Sequence, residues 1–230
     1  MYHCGRGSIS DSIVDGNRVS DHPNGGGYGA GIFVDDCSLS LRANTIVSNS
    51  TGSAAGALLP GGGVYIASTR TVTLTNNIIA HNHASDGGGV AVGHYSVCCA
   101  RALLVNNTIA DNEGRNGIWP AYHAEVTLQN NVIAGHGQGI ALNPGPITIT
   151  ADTNLFWNTT DPITGTHAIL RNPHLSADHR LSSAVIDRGL TIPWLIDDCL
   201  GHHRPQGPAY DLGACELWPF RLPLLLKKSS

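Results

Sequence analysis

The sequence predicts an all-β fold, a parallel solenoid of about five to six coils with three short strands in each coil. Three observations predict it. A phrase recurs, most clearly as Val72-Thr-Leu-Thr-Asn-Asn-Ile-Ile-Ala-His-Asn82, Leu103-Leu-Val-Asn-Asn-Thr-Ile-Ala-Asp-Asn112 and Val126-Thr-Leu-Gln-Asn-Asn-Val-Ile-Ala-Gly-His136. Looser copies run from Leu39 to Asn49 and from Ile147 to Trp157, and a degenerate one from Asp11 to Asn17. The apolar residue after the turn, Ile13, Ile46, Ile79, Ile109, Ile133 and Phe156, recurs at spacings of 33, 33, 30, 24 and 23 residues. A glycine then leads a third apolar run after the first five copies, at Gly31, Gly63, Gly89, Gly117 and Gly139.

Each element has a local reason. Alternation of apolar and polar residues with period 2 is a half-buried strand. The asparagine after it tolerates a left-handed backbone and bonds nearby backbone, so it bends the chain. The apolar pair that follows is the second strand, and the Gly-led run is the third. Coils stacked about 4.8 Å apart place equivalent residues in columns. Asn44, Asn77, Asn107, Asn131 and Asn154 then form an amide ladder, and the isoleucine column fills the interior. From that column to the next strand glycine the distances are 18, 17, 10, 8 and 6 residues, so the extra length gathers on one corner. Insertions in solenoids gather on the binding side.

These repeats, roughly Ile9 to Trp157, resemble the right-handed parallel β-helix repeats of the pectate-lyase-like superfamily, and the handedness is what that resemblance implies. After Trp157 the repeat fades. His179 to Gly189 and Asp197-Asp-Cys-Leu-Gly-His-His-Arg-Pro, ending in Asp211-Leu-Gly-Ala-Cys-Glu216, resemble the C-terminal end of secreted bacterial β-helix proteins of the choice-of-anchor Q type. Ser183-Ala-Val-Ile-Asp187 departs from that pattern by lacking its proline. The chain thus divides into repeats over 1–160, a capping region over 161–216 and an apolar tail with two lysines over 217–230. The cap is expected over the last coil, with Asp187, Arg204, Asp211 and Glu216 as polar anchors. The tail reads as an attachment segment or as a loose extension packed on the cap.

Composition narrows the function. There are 13 basic and 17 acidic residues, and the only lysines are Lys227 and Lys228. No basic stripe points to nucleic acid, and no apolar run approaches the ~20 residues of a membrane span. Met1 to Gly7 lacks the apolar core of a signal peptide, and the chain begins almost inside a coil. The natural chain is therefore expected to continue upstream, with a fully cytoplasmic protein as the alternative, and an extracellular or cell-surface location is what the resemblance implies. The six cysteines have no zinc spacing. They read as small buried hydrophobes, with disulfides the alternative and Cys199–Cys215 the leading pair.

Chemistry is sparser. Asp35-Asp-Cys37 and Gly135-His-Gly137 resemble two polygalacturonase motifs, but they lie four repeats apart, about 19 Å along the axis. Glycoside hydrolysis needs its carboxylates within about 5–9.5 Å, so the match reads as coincidence and no catalytic residue is assigned. Asp86, Asp111 and Glu113 stand on loops of successive coils near Arg115, where Ca2+ is the candidate cofactor of a lyase. His81 and Asp111 are equivalent on adjacent coils, with His136 offset by one, and read as polar turn residues before they read as a metal or acid/base pair.

The strongest ligand face is aromatic. The second residues after the strand glycines, Phe33, Tyr65, Ala91, Trp119 and Ala141, should point outward. Phe33, Tyr65 and Trp119, flanked by Asp21, His22, His83, Asp86, Asp111 and Glu113, would make a platform for sugar rings. Ala91 would leave about 9.6 Å between two rings, two coil rises. The reading is a monomeric secreted or surface protein binding polysaccharide. The alternatives are a polysaccharide lyase or glycoside hydrolase, and a structural stalk without ligand chemistry.

Overall fold

The structure, a computed structural model, describes residues 5–19, 28–52, 59–93, 99–141, 143, 145–160, 164–180 and 185–217. Its strands stack in parallel as a β-helix with three faces. The first sheet stacks Arg6–Ser10, Ser38–Arg42, Thr71–Thr75, Arg101–Val105, Glu125–Gln129 and Thr148–Asp152. The second stacks Ile13–Asp15, Thr45–Val47, Ile78–Ala80, Thr108–Ala110, Val132–Ala134, Leu155–Trp157 and Ile169–Leu170. The third runs Ile32–Asp35, Val64–Ala67, Val90–Val92, Asn116–Pro120 and Gln138–Ile140. The interior is one continuous apolar column, with Leu41, Leu74, Leu104 and Leu128 from the first sheet, Ile46, Ile79, Ile109, Ile133 and Phe156 from the second, and Val64, Val90, Ile118 and Ile140 from the third.

The first copy is set one residue differently from the expected register. Val14, not Ile13, pairs with Ile46, and Ile13 points outward and is 77% exposed. The phrase is shorter there, and with period 2 one residue of slip turns the side chain to the other face.

The amide ladder is formed. Asn44, Asn77, Asn107 and Asn131 each donate through Nδ2 to the Oδ1 of the next, at 2.9–3.0 Å, and Asn131 donates to Asn154. The backbone N–H of each donates to the same oxygen. The left-handed bend itself falls one residue earlier, at Ala43, Asn76, Asn106, Asn130 and Thr153. A second ladder, which the sequence reading did not identify, runs through Asn17, Asn49, Asn82 and Asn112 at the following turn.

The start of the C-terminal region does continue over the last coil, with Ile169–Leu170 paired to Leu155 and Phe156 and Ala168 packed on the core, but the segment 185–217 does not sit there as expected. It lies along the flank, on the outward residues of the second sheet and the turn before it. Val185 and Leu212 pack with Ala110, Val132, Ala134 and Leu155, while Ala214 and Cys215 pack with Ile78 and Ala80. The column Asn76, Asn106 and Asn130 is the docking rail. Asn106 Nδ2 donates to the carbonyls of Asp211 and Gly213, Asn130 exchanges bonds with the backbone of Leu190, and Asn76 Nδ2 donates to Asp197 O. The physical reason is exposed apolar surface. Without this flank the β-branched and alanine residues of the second sheet would stay wet, as Ile13 does beyond its reach.

Cys199 and Cys215 form a disulfide with Cα atoms 4.9 Å apart. Cys37 is disulfide-bonded as well. These three are therefore not the buried free thiols that the first reading of the cysteines gave. Cys4, Cys98 and the tail 218–230 lie outside the described residues.

The four expected anchors do gather, joined by Asp198. Arg204 pairs with Glu216, both side chains being buried. Asp211 accepts from the backbone N–H of Asp187 and Leu217, and Asp198 Oδ2 accepts from Glu216 N. Burial pushes the Asp211 carboxyl up from 3.8 to about 6, against the pull of those two N–H groups. A carboxyl raised in the folded state stabilises when protonated, so its contribution is fully present below about pH 3.8 and is lost as pH rises through about 6. Between pH 7.5 and pH 5 the flank should gain about 1.4 kcal/mol, roughly tenfold in protection. Hydrogen exchange over 187–217, corrected for intrinsic rates, checks this; protection that is flat or falls on acidification refutes it.

Candidate functional site: the outer face of the Gly-led sheet

The predicted aromatic column has the predicted register. Phe33 pairs with Tyr65, Tyr65 with Ala91, and Ala91 with Trp119. All point away from the interior, because Tyr65, Ala91, Trp119 and Ala141 form an apolar cluster of their own outside the core. They do not form a wet platform. Tyr65 is 1% exposed and Trp119 6%, while Phe33 is 48% exposed. Ala91 is buried too, so the expected gap between two rings is filled.

The cover is the backbone of the glycine turns together with, over Tyr65, the rings of Tyr28 and Phe33. A Cβ on Gly61 would lie 2.6 Å from Tyr65 Cβ, and one on Gly87 would lie 3.0 Å from the Cβ atoms of Ala91 and Trp119. Both glycines have positive φ, +78° and +60°. Only glycine lets the chain fold this tightly over the sheet. Gly61 and Gly87 each stand two residues before a strand glycine, Gly63 and Gly89; that they roof the outer face depends on coils being in register.

What remains accessible is one end of the face. Tyr28, 37% exposed, stacks on Tyr65 at 5.2 Å between centroids, and Phe33 stacks on the same ring at 5.4 Å with planes 12° apart. Phe33 and Asp35 alternate outward on the end strand Ile32–Asp35. The site is thus a ledge of two half-exposed rings on a buried third, with a carboxylate beside it. Tyr28 was missed because it precedes the strand glycine and belongs to no repeat column.

A family described as the right handed beta helix region matches residues 4–176. The chain belongs to that family. No match is found among curated proteins or among solved structures. The match fixes the hand of the β-helix and ends before the anchored flank.

The polar residues of this β-helix do not converge on the aromatic face as a set. His83 Nδ1 lies 3.3 Å from Glu113 Oε2, both on the exposed edge where Ser50, His83 and Glu113 form parallel bridges. Asp86 is buried, within 3.5 Å of Asn116 Nδ2 and 3.9 Å of Arg115 Nη1. Asp111 faces His179, at 3.7 Å from Nδ1. The three acids proposed for calcium therefore each serve a different partner, and among the described residues no group of three or more His, Cys, Asp or Glu is placed to hold a metal. His136 of the hydrolase-like motif is buried, its ring nitrogens 3.3 and 3.2 Å from the carbonyls of Asn112 and Ile109. It stands next in the column of the second ladder, held by backbone carbonyls. Asp21 and His22 lie outside the described residues.

Proposed function

We propose that this β-helix protein works outside the cytoplasm, secreted or at the cell surface, and binds polysaccharide at the ledge of Tyr28 and Phe33. The ring stack of Tyr28, Tyr65 and Phe33 carries the reading. The buried Tyr65 fixes the two outer rings, so their flat apolar faces are held in place before a ligand arrives, and the ordering cost on binding is small. Such faces suit the C–H faces of sugars, and Asp35 is beside them to accept from hydroxyls. Disulfides persist in oxidising compartments, and the Cys199–Cys215 bond supports that location. The resemblance of Asp187 to Glu216 to the ends of secreted bacterial β-helix proteins supports it as well.

The test is binding of the full chain to an array of neutral and acidic glycans, then of Phe33→Ala and Tyr28→Ala to the glycans it retains. Each substitution should weaken binding about tenfold, the loss of roughly 1.4 kcal/mol of ring contact. Unchanged affinity in both variants, with the fold intact, refutes the ledge. Release of unsaturated or reducing sugar ends would instead make the protein an enzyme, and silence across the array would favour a stalk.

A further inference from the structure

The turn Ser176–Arg180 starts at the last residue of the family match and sets His179 against the β-helix. Its Nε2 is 2.9 Å from the Nε2 of His81, with the rings edge-on at 62° and centroids 4.7 Å apart. The His179 side chain is 8% exposed, and its Nδ1 is buried without a hydrogen-bond partner, 3.7 Å from Asp111 Oδ2. His81 and Asp111 stand on successive coils at equivalent left-handed turn positions. Gly135, next in that column, has no Cβ; one there would lie 2.0 Å from Asp111 Oδ1, so the missing side chain makes room for the carboxylate.

We propose that His81 and His179 form a two-imidazole site for a divalent transition metal, with Asp111 behind it. Two nitrogens each about 2.0–2.1 Å from one ion stand about 2.9 Å apart at a right angle and about 3.4 Å apart in a tetrahedron. The pair is already at the first spacing and opens by about 0.5 Å to reach the second. A metal-bound imidazole holds its proton on the other nitrogen and donates it to a carboxylate, which fixes the ring. Asp111 is the carboxylate on that side, its Oδ2 3.7 Å from Nδ1 of His179. Burial, and the neighbouring His81, hold the His179 imidazole below its ordinary pKa of 6.5, against the opposite pull of Asp111 and Asp178. Asp178 is engaged by Arg180 at 3.0 Å and by Ser176, so solvent completes the coordination. The ion replaces the proton shared between the two rings and staples the C-terminal flank to the coils.

The test is zinc titration of the tag-free full chain, followed by calorimetry and by the ring resonances of His81 and His179. Both rings should shift together and saturate at one equivalent, the melting temperature should rise with zinc, and affinity should fall at least about tenfold from pH 7.5 to pH 5.5 as protons compete. His81→Asn, which keeps the left-handed turn because asparagine tolerates it, should abolish that equivalent and the zinc-dependent rise. Ring resonances unmoved at millimolar zinc, or His81→Asn binding zinc as the parent does, overturns the site.

Discussion

Arg204→Ala should destabilise the protein by about 3–5 kcal/mol, the cost of stranding buried charge when one partner of a buried pair is removed. Arg204 is the only cation in the buried cluster with Asp198, Asp211 and Glu216 among the described residues. Its Nη1 donates to Glu216 and to the carbonyl of Asp211. Its Nη2 donates to Asn76 Oδ1 at 3.1 Å and to the carbonyls of Gly213 and Ala214 at 2.9 and 2.8 Å. Burial lowers the arginine's pKa, and Glu216, Asp198 and Asp211 raise it again. Without the guanidinium, the Glu216 carboxylate, the Asn76 amide oxygen and three backbone carbonyls lose a donor, and Asp198 and Asp211 lose the neighbouring positive charge, in a place water does not reach. Arg204→Lys keeps the charge but not the planar fork, so it should recover only part of the loss. The damage should be local. The coil interior has its own apolar column, whereas the flank is held by Arg204, the Asn76 rail and the side contacts of Leu212 and Ala214. Denaturant unfolding measures the magnitude, and hydrogen exchange should show 185–217 opening while the three sheets stay protected. A loss below about 1 kcal/mol, or uniform opening, would mean that the network does not hold the flank.

The fold was legible because a β-helix repeats its local code. The strand alternation, the ladder asparagine and the strand glycine are the same decision taken at each coil, so an error in one copy is outvoted by the others. The misplaced Ile13 shows the converse: in a degenerate single copy nothing corrects the register. The second ladder was also readable, since Ser48-Asn49, His81-Asn82 and Asp111-Asn112 repeat the turn-then-Asn pair. What sequence could not give was anything made between distant segments. The pairing of His179 with His81 spans 98 residues, and Arg204 reaches Asn76 across 128. The anchors Asp187, Arg204, Asp211 and Glu216 were recognised as a set, yet their place on the flank depends on the second sheet's uncovered outward face. The aromatic face failed for a related reason. Alternation tells which side a ring is on, but the glycine turns against Tyr65 and Trp119, and the rings of Tyr28 and Phe33 on Tyr65, decide whether water reaches it.

Asn107→Ala should cost about 4 kcal/mol although it removes only an amide. Asn107 stands mid-ladder and is fully buried. Its Nδ2 donates to Leu74 O at 2.8 Å and to Asn131 Oδ1 at 3.0 Å, and its Oδ1 accepts from both the backbone N–H and the Nδ2 of Asn77 at 3.0 and 2.9 Å. Truncation leaves the Asn77 N–H buried without its acceptor, worth about 1–3 kcal/mol, takes one bond each from the Leu74 carbonyl and the Asn77 and Asn131 amides, and adds a small void. All amides in the column point the same way, so each bond polarises the next, and a break in the middle also weakens the links on either side. Asn107→Asp separates the two halves of the amide. The acceptor bonds to Asn77 survive, but the donors to Leu74 and Asn131 are lost, and an ionised carboxylate would face two oxygens in a dry site. The folded state must therefore hold that carboxyl protonated, its pKa raised above the unfolded value near 3.9. A raised acid stabilises below its unfolded pKa and loses that contribution as pH rises. The aspartate variant should consequently approach the parent at pH 4 and fall furthest behind it at pH 8, while the alanine variant stays equally weakened at both. Chemical denaturation of the three proteins at the two pH values gives the answer. If alanine cost less than about 1 kcal/mol, or if aspartate showed no pH dependence, the ladder would be a by-product of coil stacking and not one of the forces that hold it.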